Sequence, residues 1–152
     1  MADVVDKKTR SRMMSGIRSA NTTPEILTRK ALHKLGYRYR LGCRVGKTKP
    51  DIVLTRYKVA VFVHGCYWHQ HQGCKLAYSD RVYSNKWKNK FEDNADRDRR
   101  VKKALLDNDW RVAVLWECAT RNQTAFEKSI KQLDSFIRTG TNKYYESDYR
   151  KS

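Results

Sequence analysis

Four potential metal ligands fall within nine residues, and this cluster constrains the fold more than any other feature of the sequence. It comprises Cys66, His69, His71 and Cys74. The stretch around it is polar and contains two glycines, so it has little apolar surface with which to hold itself by packing. A bound metal ion is a physical means of fixing such a segment.

Zinc is the metal that these ligand types favour. Structural zinc sites are tetrahedral, and three cysteines with one histidine are a common ligand set. Cys118 follows a later strand-like segment, whose end can return to the same edge of a sheet. The sequence therefore predicts a structural Zn²⁺ site formed by Cys66, His71, Cys74 and Cys118. The alternative is a set of buried thiols beside surface histidines, with no metal.

The charge of the chain indicates an anionic partner. Its 152 residues include 33 lysines and arginines against 16 acidic residues, a formal net charge of +17. A surplus of this size is repulsive unless something anionic is the usual partner, and nucleic acid is the leading candidate. The length fits one domain, and an apolar content of 39% excludes wholesale disorder.

The features of a membrane protein are absent from the sequence. The longest apolar run, 59–63, has the length of a strand and not of a bilayer span. The beginning of the chain lacks the apolar segment of a signal peptide. We therefore expect a cytoplasmic protein with reduced thiols, which are available to a metal.

Hydrophobic spacing predicts alternating helices and strands. A first helix begins at the N-cap Thr22 and ends at Gly36, with an apolar face formed by Ile26, Leu27, Ala31, Leu32 and Leu35. Further helices are predicted at 84–108 and 126–137, and strands at 37–41, 50–54, 59–63 and 111–116. This order indicates an α/β fold with a small mixed sheet, in which the second and third strands form a hairpin.

The two ends of the chain differ in character from its middle. Residues 1–20 are basic and are predicted to form an arm or a short helix. Residues 21–140 contain all the predicted strands and the three predicted helices, so we expect them to form the folded domain. Residues 141–152 are polar and rich in tyrosine, and we expect a flexible tail there.

Asp51 directly follows Pro50 at the mouth of a predicted strand, an arrangement found in metal-dependent nucleases. The hairpin brings Val63 and His64, at the end of its second strand, near this carboxylate. A carboxylate and a backbone carbonyl are hard oxygen ligands for Mg²⁺, and a bound phosphate can supply others. The alternative is an ordinary turn, since Pro-Asp pairs are common there.

Two histidines and one further carboxylate can supply acid–base chemistry beside this site. His64 ends the hairpin, and His69 is left free if zinc binds the other loop histidine. An imidazole can deprotonate a water molecule or contact a phosphate. Asp98 lies on the inward stripe of the long helix, where it could orient His69. The alternative for Asp98 is an ion pair with a neighbouring arginine of the same helix.

Aromatic side chains near the cysteine–histidine cluster can contact nucleic acid bases. Tyr67 and Trp68 lie in the polar loop, where a role in the core is difficult to arrange. Trp87 lies at the start of the long helix. Aromatic rings beside a cationic surface can stack on bases or wedge between base pairs. The alternative for Trp87 is a place in the core beside Phe91.

These motifs occur together in one known family, the very-short-patch-repair (Vsr) DNA mismatch endonucleases, which the sequence resembles from residue 1 to about residue 137. The most specific motif is His-Gly-Cys-Tyr-Trp-His at 64–69. The others lie at 1–11, 50–51, 62–63, 98–100, 110–112 and 116–118. Two departures stand out: Val63 replaces a familiar threonine, and Gly73 is an additional residue before Cys74.

The resemblance implies a restriction-endonuclease-like fold of the PD-(D/E)XK type, a mixed central sheet flanked by helices, with a structural zinc. It implies a Mg²⁺-dependent endonuclease that nicks double-stranded DNA on the 5′ side of the thymine in a T·G mismatch. Such mismatches arise when 5-methylcytosine deaminates. It makes 21–140 an endonuclease domain that acts as a monomer on DNA of the bacterial nucleoid, with mismatch-repair proteins as further partners.

The resemblance also implies roles for individual residues. Mg²⁺ would bind Asp51 and the backbone carbonyl of Val63, with Glu25 near its water shell. His69 would be the general base, oriented by Asp98. His64 would act on the scissile phosphate. The residues in contact with DNA would be Met14, which would grip the groove opposite the wedge, and the wedging aromatics Tyr67, Trp68 and Trp87.

Two other functions share many of these features. A non-catalytic, zinc-containing DNA-binding module would need the charge, the aromatics and the cysteines. It would not need the set Asp51, His64, His69 and Asp98. A restriction-type endonuclease that cuts unmismatched DNA would share the whole site, and only its substrate would differ.

Overall fold

Helices alternate with strands in the computed structural model, which describes residues 22–66, 69, 71, 74 and 85–147 (for 85–87 the backbone only). The order is α1 (Thr23–Lys34), β1 (Ile52–Leu54), a 3-10 helix (Thr55–Tyr57), β2 (Val59–His64), α2 (Asn85–Asp107), β3 (Arg111–Trp116), α3 (Glu117–Thr120), α4 (Gln123–Thr139) and β4 (Tyr144–Glu146). The predicted hairpin, long helix, later strand and last helix are all confirmed within a few residues.

The described strands form one mixed sheet in the order β1–β2–β3–β4. β1 pairs antiparallel with β2, whereas β2, β3 and β4 run parallel. His64 lies opposite Trp116, and Val114 lies opposite Glu146. The ends of β2, β3 and β4 and the start of β1 therefore meet at one edge of the sheet, which we call the carboxyl edge.

Helices cover both faces of this sheet. Val59 and Val61 of β2 belong to an apolar cluster with α1 and α4, whereas Ala60 and Phe62 pack in a second cluster with α2. Side chains alternate between the two faces along a strand. His64 continues the series of 60 and 62, so its side chain lies on the face that α2 covers. Within the described ranges, no helix is both long and apolar enough to cross a membrane.

Helix α1 begins as predicted, and Leu32 of the predicted inward face is buried, but the rest of that face differs. The Thr22 hydroxyl accepts a hydrogen bond from the Glu25 backbone N–H at 3.4 Å, which is an N-cap interaction. The buried residues of the helix are Glu25, Thr28 and Leu32, and the predicted inward residues Ile26, Leu27 and Leu35 are exposed. Apolar spacing misidentified the face because the buried side chains include a carboxylate and a hydroxyl.

Two further segments differ from the prediction. The predicted strand 37–41 is reduced to a single bridge between Arg40 and Val53. The predicted flexible tail begins with β4, which pairs with β3 at the edge of the sheet. Apolar alternation could not indicate β4, because its side chains are half-buried or exposed. The N-terminal arm, 1–20, lies outside the described residues.

A polar contact joins the segment after α1 to α4. The buried Tyr37 donates its hydroxyl hydrogen to an Asp134 side-chain oxygen, and Arg138 donates to the same oxygen at 2.8 Å. Burial acts to raise the pKa of Asp134, but the hydrogen bonds from Tyr37 and Arg138 outweigh it and lower that pKa. The Asp134 carboxylate is therefore stabilised in the folded protein.

Replacing this carboxylate tests the contact. We expect Asp134→Asn to lower the free energy of unfolding by about 1 kcal/mol at pH 7. Since the folded pKa is below the unfolded value of about 3.9, the contribution is present above that pH and is lost as the pH falls below it. Urea unfolding at pH 7 and at pH 3 measures the difference.

The matched control is Asp107→Asn, which removes an exposed ion pair with Lys103. It should change the free energy of unfolding by less than about 0.5 kcal/mol at either pH. An equal loss in both variants at pH 7 would contradict a special role for Asp134.

Candidate active site and metal cluster

Four of the predicted catalytic side chains meet at the carboxyl edge. Asp51 immediately precedes β1, and His64 is the last residue of β2. His69 lies in the segment after β2, where its backbone N–H donates to the Gly65 carbonyl at 3.1 Å. Asp98 is supplied by α2, which covers the same face of the sheet as His64.

Asp51 is a half-buried carboxylate at the junction of β1 and β2. Its Oδ2 accepts a hydrogen bond from the backbone N–H of Val63 at 2.7 Å. Burial raises the pKa of Asp51 to about 7; the Val63 hydrogen bond and the nearby His69 and Arg29 act in the opposite direction. A cation beside Asp51 would favour its charged form. The two predicted Mg²⁺ ligand residues, Asp51 and Val63, are therefore in direct contact.

Glu25 is a second carboxylate on this side of the site, and it is buried. It is 3% exposed, and its Oε2 lies 3.1 Å from the Arg29 guanidinium, one turn further along α1. Its negative charge contributes to the raised pKa of Asp51, so the two carboxylates interact. Placing two carboxylates together under burial is unfavourable without a neighbouring cation.

His69 and Asp98 are in direct contact. Asp98 Oδ2 lies 2.7 Å from His69 Nδ1. The contact with His69 was one of the two arrangements that the sequence left open for Asp98. Arg99, a neighbouring arginine, pairs with Asp96 instead. A carboxylate that accepts from Nδ1–H leaves the Nε2 lone pair of a neutral imidazole available as a base.

His64 stacks on His69. The ring centroids are 3.9 Å apart and the planes are inclined by 6°. The Nε2 atom of His64 lies 4.0 Å from Asp98 Oδ1, so one carboxylate lies beside both imidazoles. Burial, and secondly the proximity of His69, lowers the pKa of His64 to about 3. His64 is therefore neutral at neutral pH.

A second group of four side chains has the composition of a metal site. The ligand atoms of Cys66, His71, Cys74 and Cys118 all lie within 4.8 Å of one another. The segment after β2 supplies three of them, and α3, which directly follows β3, supplies Cys118. Such a cluster could hold a metal ion.

The geometry of the cluster fits a tetrahedral ion. Nδ1 of His71 lies 3.6 Å from Sγ of Cys66 and 3.4 Å from Sγ of Cys118. Zinc bonds of about 2.3 Å to sulfur and 2.0 Å to nitrogen at the tetrahedral angle give a sulfur–nitrogen distance of about 3.5 Å. The Cys118 backbone N–H also donates to Cys66 Sγ at 3.3 Å, a contact that favours a thiolate.

Burial makes the thiolates depend on a cation. It raises the pKa of both Cys66 and Cys118 above the ordinary thiol value. Metal coordination requires deprotonated thiols, and the charge of the ion offsets the cost of burying them. The donor set, with three sulfurs and one imidazole, fits zinc in both number and chemistry.

Several predicted site residues cannot be located. Met14, Tyr67 and Trp68 lie outside the described residues, as does the side chain of Trp87, whose backbone begins α2. Sequence reasoning missed two neighbours of the site, Trp116 and Glu117. The Glu117 carboxylate accepts from the Cys66 backbone N–H at 3.3 Å. A signal was present, because both residues adjoin the predicted ligand Cys118.

Comparison with known sequences finds relatives over most of the chain, and they belong to the family that the sequence resembles. The family described as DNA mismatch endonuclease Vsr matches residues 2–75. The type II nicking enzyme V.XorIIP of Xanthomonas oryzae pv. oryzae is 38% identical over 133 residues, which cover 88% of this chain and 97% of that protein. The DNA mismatch endonuclease Vsr of Escherichia coli K12 is 37% identical over 139 residues, 90% of this chain and 88% of its own length.

A solved structure shares the fold. The catalytic domain of the homing endonuclease I-Bth0305I superposes with a TM-score of 0.55 and 20% identity, over 80% of this chain and 100% of that domain. The predicted fold class, a nuclease-type mixed sheet flanked by helices with a cluster that could hold a metal, is confirmed. The sequence relatives show that this chain belongs to the Vsr family of DNA mismatch endonucleases.

Proposed function

We propose that this endonuclease nicks one strand of double-stranded DNA on the 5′ side of the thymine in a T·G mismatch, with Mg²⁺ as its catalytic cofactor. Membership of the Vsr family makes the protein a DNA nicking endonuclease. The T·G substrate, the identity of the metal and the roles of single residues are the parts proposed here.

One observation carries the catalytic part of the proposal: the 2.7 Å contact between Asp98 and His69 beside the half-buried Asp51, whose pKa burial raises. A protein that only binds DNA gains nothing from burying a carboxylate near an oriented imidazole, because burial of charge costs stability. A hydrolase gains an oriented base next to a place for a cation. The arrangement therefore favours catalysis over the DNA-binding module.

In this proposal His69 moves the proton. Asp98 holds Nδ1–H, so Nε2 of His69 can take a proton from the water molecule whose oxygen attacks the phosphorus. The Asp98 carboxylate then stabilises the charged imidazole that results. His64, neutral because burial lowers its pKa, can contact the scissile phosphate without adding a second positive charge beside His69.

Asp51 and the backbone carbonyl of Val63 would hold the Mg²⁺ ion, and Glu25 would hydrogen-bond its water shell. Oxygen donors and a raised carboxylate pKa fit a hard divalent cation. Bound there, Mg²⁺ supplies positive charge for the leaving oxygen and lowers the pKa of water. Val63 in place of the family's threonine does not change this role, because only its backbone is used.

Zinc would have a structural role in the second cluster. Cys66, His71, Cys74 and Cys118 would bind it and tie the segment after β2 to the end of β3. His69 lies between two of these ligands in sequence, so the cluster would also fix the position of the general base. The additional Gly73 precedes Cys74, whose Sγ still lies within 4.8 Å of the other ligand atoms.

DNA contacts complete the proposal. Tyr67, Trp68 and Trp87 would wedge into the duplex beside the mismatch, and the basic segment around Met14 would grip the opposite groove. The net charge of +17 supports a long contact with phosphates. We propose that the protein acts as a monomer in the bacterial cytoplasm, on nucleoid DNA, with mismatch-repair proteins as further partners.

A panel of labelled duplexes tests the substrate. We expect the purified protein with Mg²⁺ to nick the thymine strand of a T·G duplex at least about tenfold faster than a matched T·A duplex. EDTA should stop the reaction, and added Mg²⁺ should restore it. Denaturing gel electrophoresis of each labelled strand locates the nick.

The same panel separates the alternatives. Equal cutting of both strands of the T·A duplex would favour a restriction-type endonuclease and contradict mismatch specificity. If the protein binds the duplexes but cleaves none of them with any metal tested, only the zinc-containing DNA-binding module remains.

The role of the Asp51 carboxylate is tested by Asp51→Asn, which keeps the shape of the side chain and an oxygen that can accept from the Val63 N–H. We expect nicking to fall by at least about 10²-fold, because the ion loses its charged ligand. DNA affinity should stay within about threefold, since phosphate contacts to basic residues dominate it. Nicking rates and binding titrations measure the two effects.

Asp109→Asn is the matched control. Asp109 is an exposed aspartate before β3, at the opposite end of the sheet, with a left-handed φ of 64° that asparagine also tolerates. It should leave nicking unchanged. A comparable loss in both variants would contradict a specific role for Asp51.

The metal cluster is tested by Cys118→Ser. We expect this variant to lose about one equivalent of bound zinc and to unfold at a lower temperature, because serine is a poor zinc ligand. Elemental analysis and a thermal melt measure both quantities. Cys43→Ser, which changes a half-buried cysteine outside the cluster, should affect neither. Unchanged zinc content in Cys118→Ser would exclude the proposed ligand set.

A further inference from the structure

One indole lies against both the metal cluster and the candidate active site. The Trp116 ring stacks on His71, with centroids 4.1 Å apart and planes inclined by 6°. It also lies edge-on to His64, at a centroid distance of 5.1 Å and an interplanar angle of 73°, and to His69, at 6.4 Å and 72°. A rotation of this ring would therefore disturb a candidate metal ligand and a candidate catalytic imidazole together.

The orientation of this indole is fixed by the last described strand. Its ring N–H donates to Oε2 of Glu146 at 3.0 Å. Its backbone N–H donates to the hydroxyl of the buried Ser147 at 2.9 Å, and the Ser147 N–H donates to Val114 at 2.9 Å. The backbone bonds hold the strand ends together. The bond to Glu146 is the hydrogen bond that distinguishes one orientation of the ring from the flipped one.

The Glu146 carboxylate is itself held in place. Its Oε1 accepts from the Tyr144 hydroxyl at 2.5 Å, and the Lys102 ammonium lies 3.5 Å from the centroid of the Tyr144 ring. Lys102 is one helical turn beyond Asp98 on α2. A continuous set of contacts therefore joins the helix that supplies Asp98 to the ring beside His64.

We propose that Glu146 is a positioning residue for the nicking reaction, acting through the Trp116 indole on His64 and His71. This inference rests on the proposed function of the site. Because Glu146 is exposed, water screens its charge, and its contribution is the geometry of a hydrogen-bond acceptor. The polar segment after α4 is then part of the active-site support and not only an edge of the sheet.

Single-turnover nicking by the full-length, metal-loaded protein tests the positioning role of Glu146. We expect Glu146→Ala to lower the rate constant on a T·G duplex about tenfold, with unchanged DNA affinity and zinc content. Glu146→Gln keeps an acceptor for the indole and should stay within about twofold of the wild type. A stabilising role alone would change the melting temperature without separating rate from affinity.

Tyr145→Phe is the matched control. It removes a hydroxyl from the same strand, but that hydroxyl donates to Ser129 on the α4 side of the sheet at 3.2 Å. We expect the wild-type rate in this variant. Loss of the rate in both Glu146→Ala and Tyr145→Phe would overturn the positioning role in favour of strand stability.

An independent readout does not depend on nicking. In ¹⁵N NMR spectra, the Trp116 indole N–H signal, assigned by its loss in Trp116→Phe, should shift in Glu146→Ala and stay in place in Glu146→Gln. A shifted signal with the wild-type nicking rate would overturn the proposal. Absence of nicking in the wild type on every duplex would instead refute the proposed function, while the NMR result would still report the contact.

If Glu146→Ala loses zinc, its nicking rate no longer reports the positioning role alone, and a second variant is needed. Tyr144→Phe leaves the carboxylate present but removes the hydroxyl that holds it. A rate lowered about threefold with zinc retained would support the positioning role, and the wild-type rate would overturn it.

Discussion

The parallel pairing of β2 with β3 is the constraint on which the rest of the molecule depends. The register places His64 opposite Trp116, so the segments that leave both strands begin side by side. One segment carries Cys66, His69 and His71, and the other carries Cys118. A slip of this register by one residue would turn His64 away from α2 and would separate the thiols. Metal cluster and catalytic groups thus depend on the same set of backbone hydrogen bonds.

Burial of polar groups at the carboxyl edge lowers the stability of the fold, because the charged form of each group loses its hydration. Burial raises the pKa of Asp51 and of the cluster thiols and lowers that of His64. In every case it disfavours the charged form of the group. Cations bound at the two proposed sites would reverse this for the acids, whereas His64 stays neutral. A core of apolar residues alone would be more stable, so the arrangement makes sense as a site and not as packing.

Much of the fold and of the candidate site could be predicted from the sequence, for identifiable reasons. The strand 59–63 is apolar on both faces because helices cover both faces of the sheet, and the four cluster ligands are of unusual types at close spacing. The predicted inward face of α1 was only partly right, because Glu25 and Thr28 are buried beside Leu32 in place of apolar residues. β4 was missed because an edge strand that contributes hydrogen-bonded side chains carries no apolar alternation. Sequence indicates what is buried for stability better than what is buried for chemistry.

The position of His69 explains why a small nuclease domain would use a structural metal. His69 lies three residues after Cys66 and two before His71, in a segment with little apolar surface. Hydrogen bonds from His69 to Gly65 and from His71 to Cys66 shape its backbone, but each is a local contact. Cys118 of the cluster lies beyond β3 in the chain, so the cluster adds a long-range tie to the contacts of His71 with Trp116 and of Cys66 with Glu117. An imidazole that meets Asp98 at 2.7 Å needs such a fixed backbone, and a metal bound in the cluster would provide it without the larger core that packing would require.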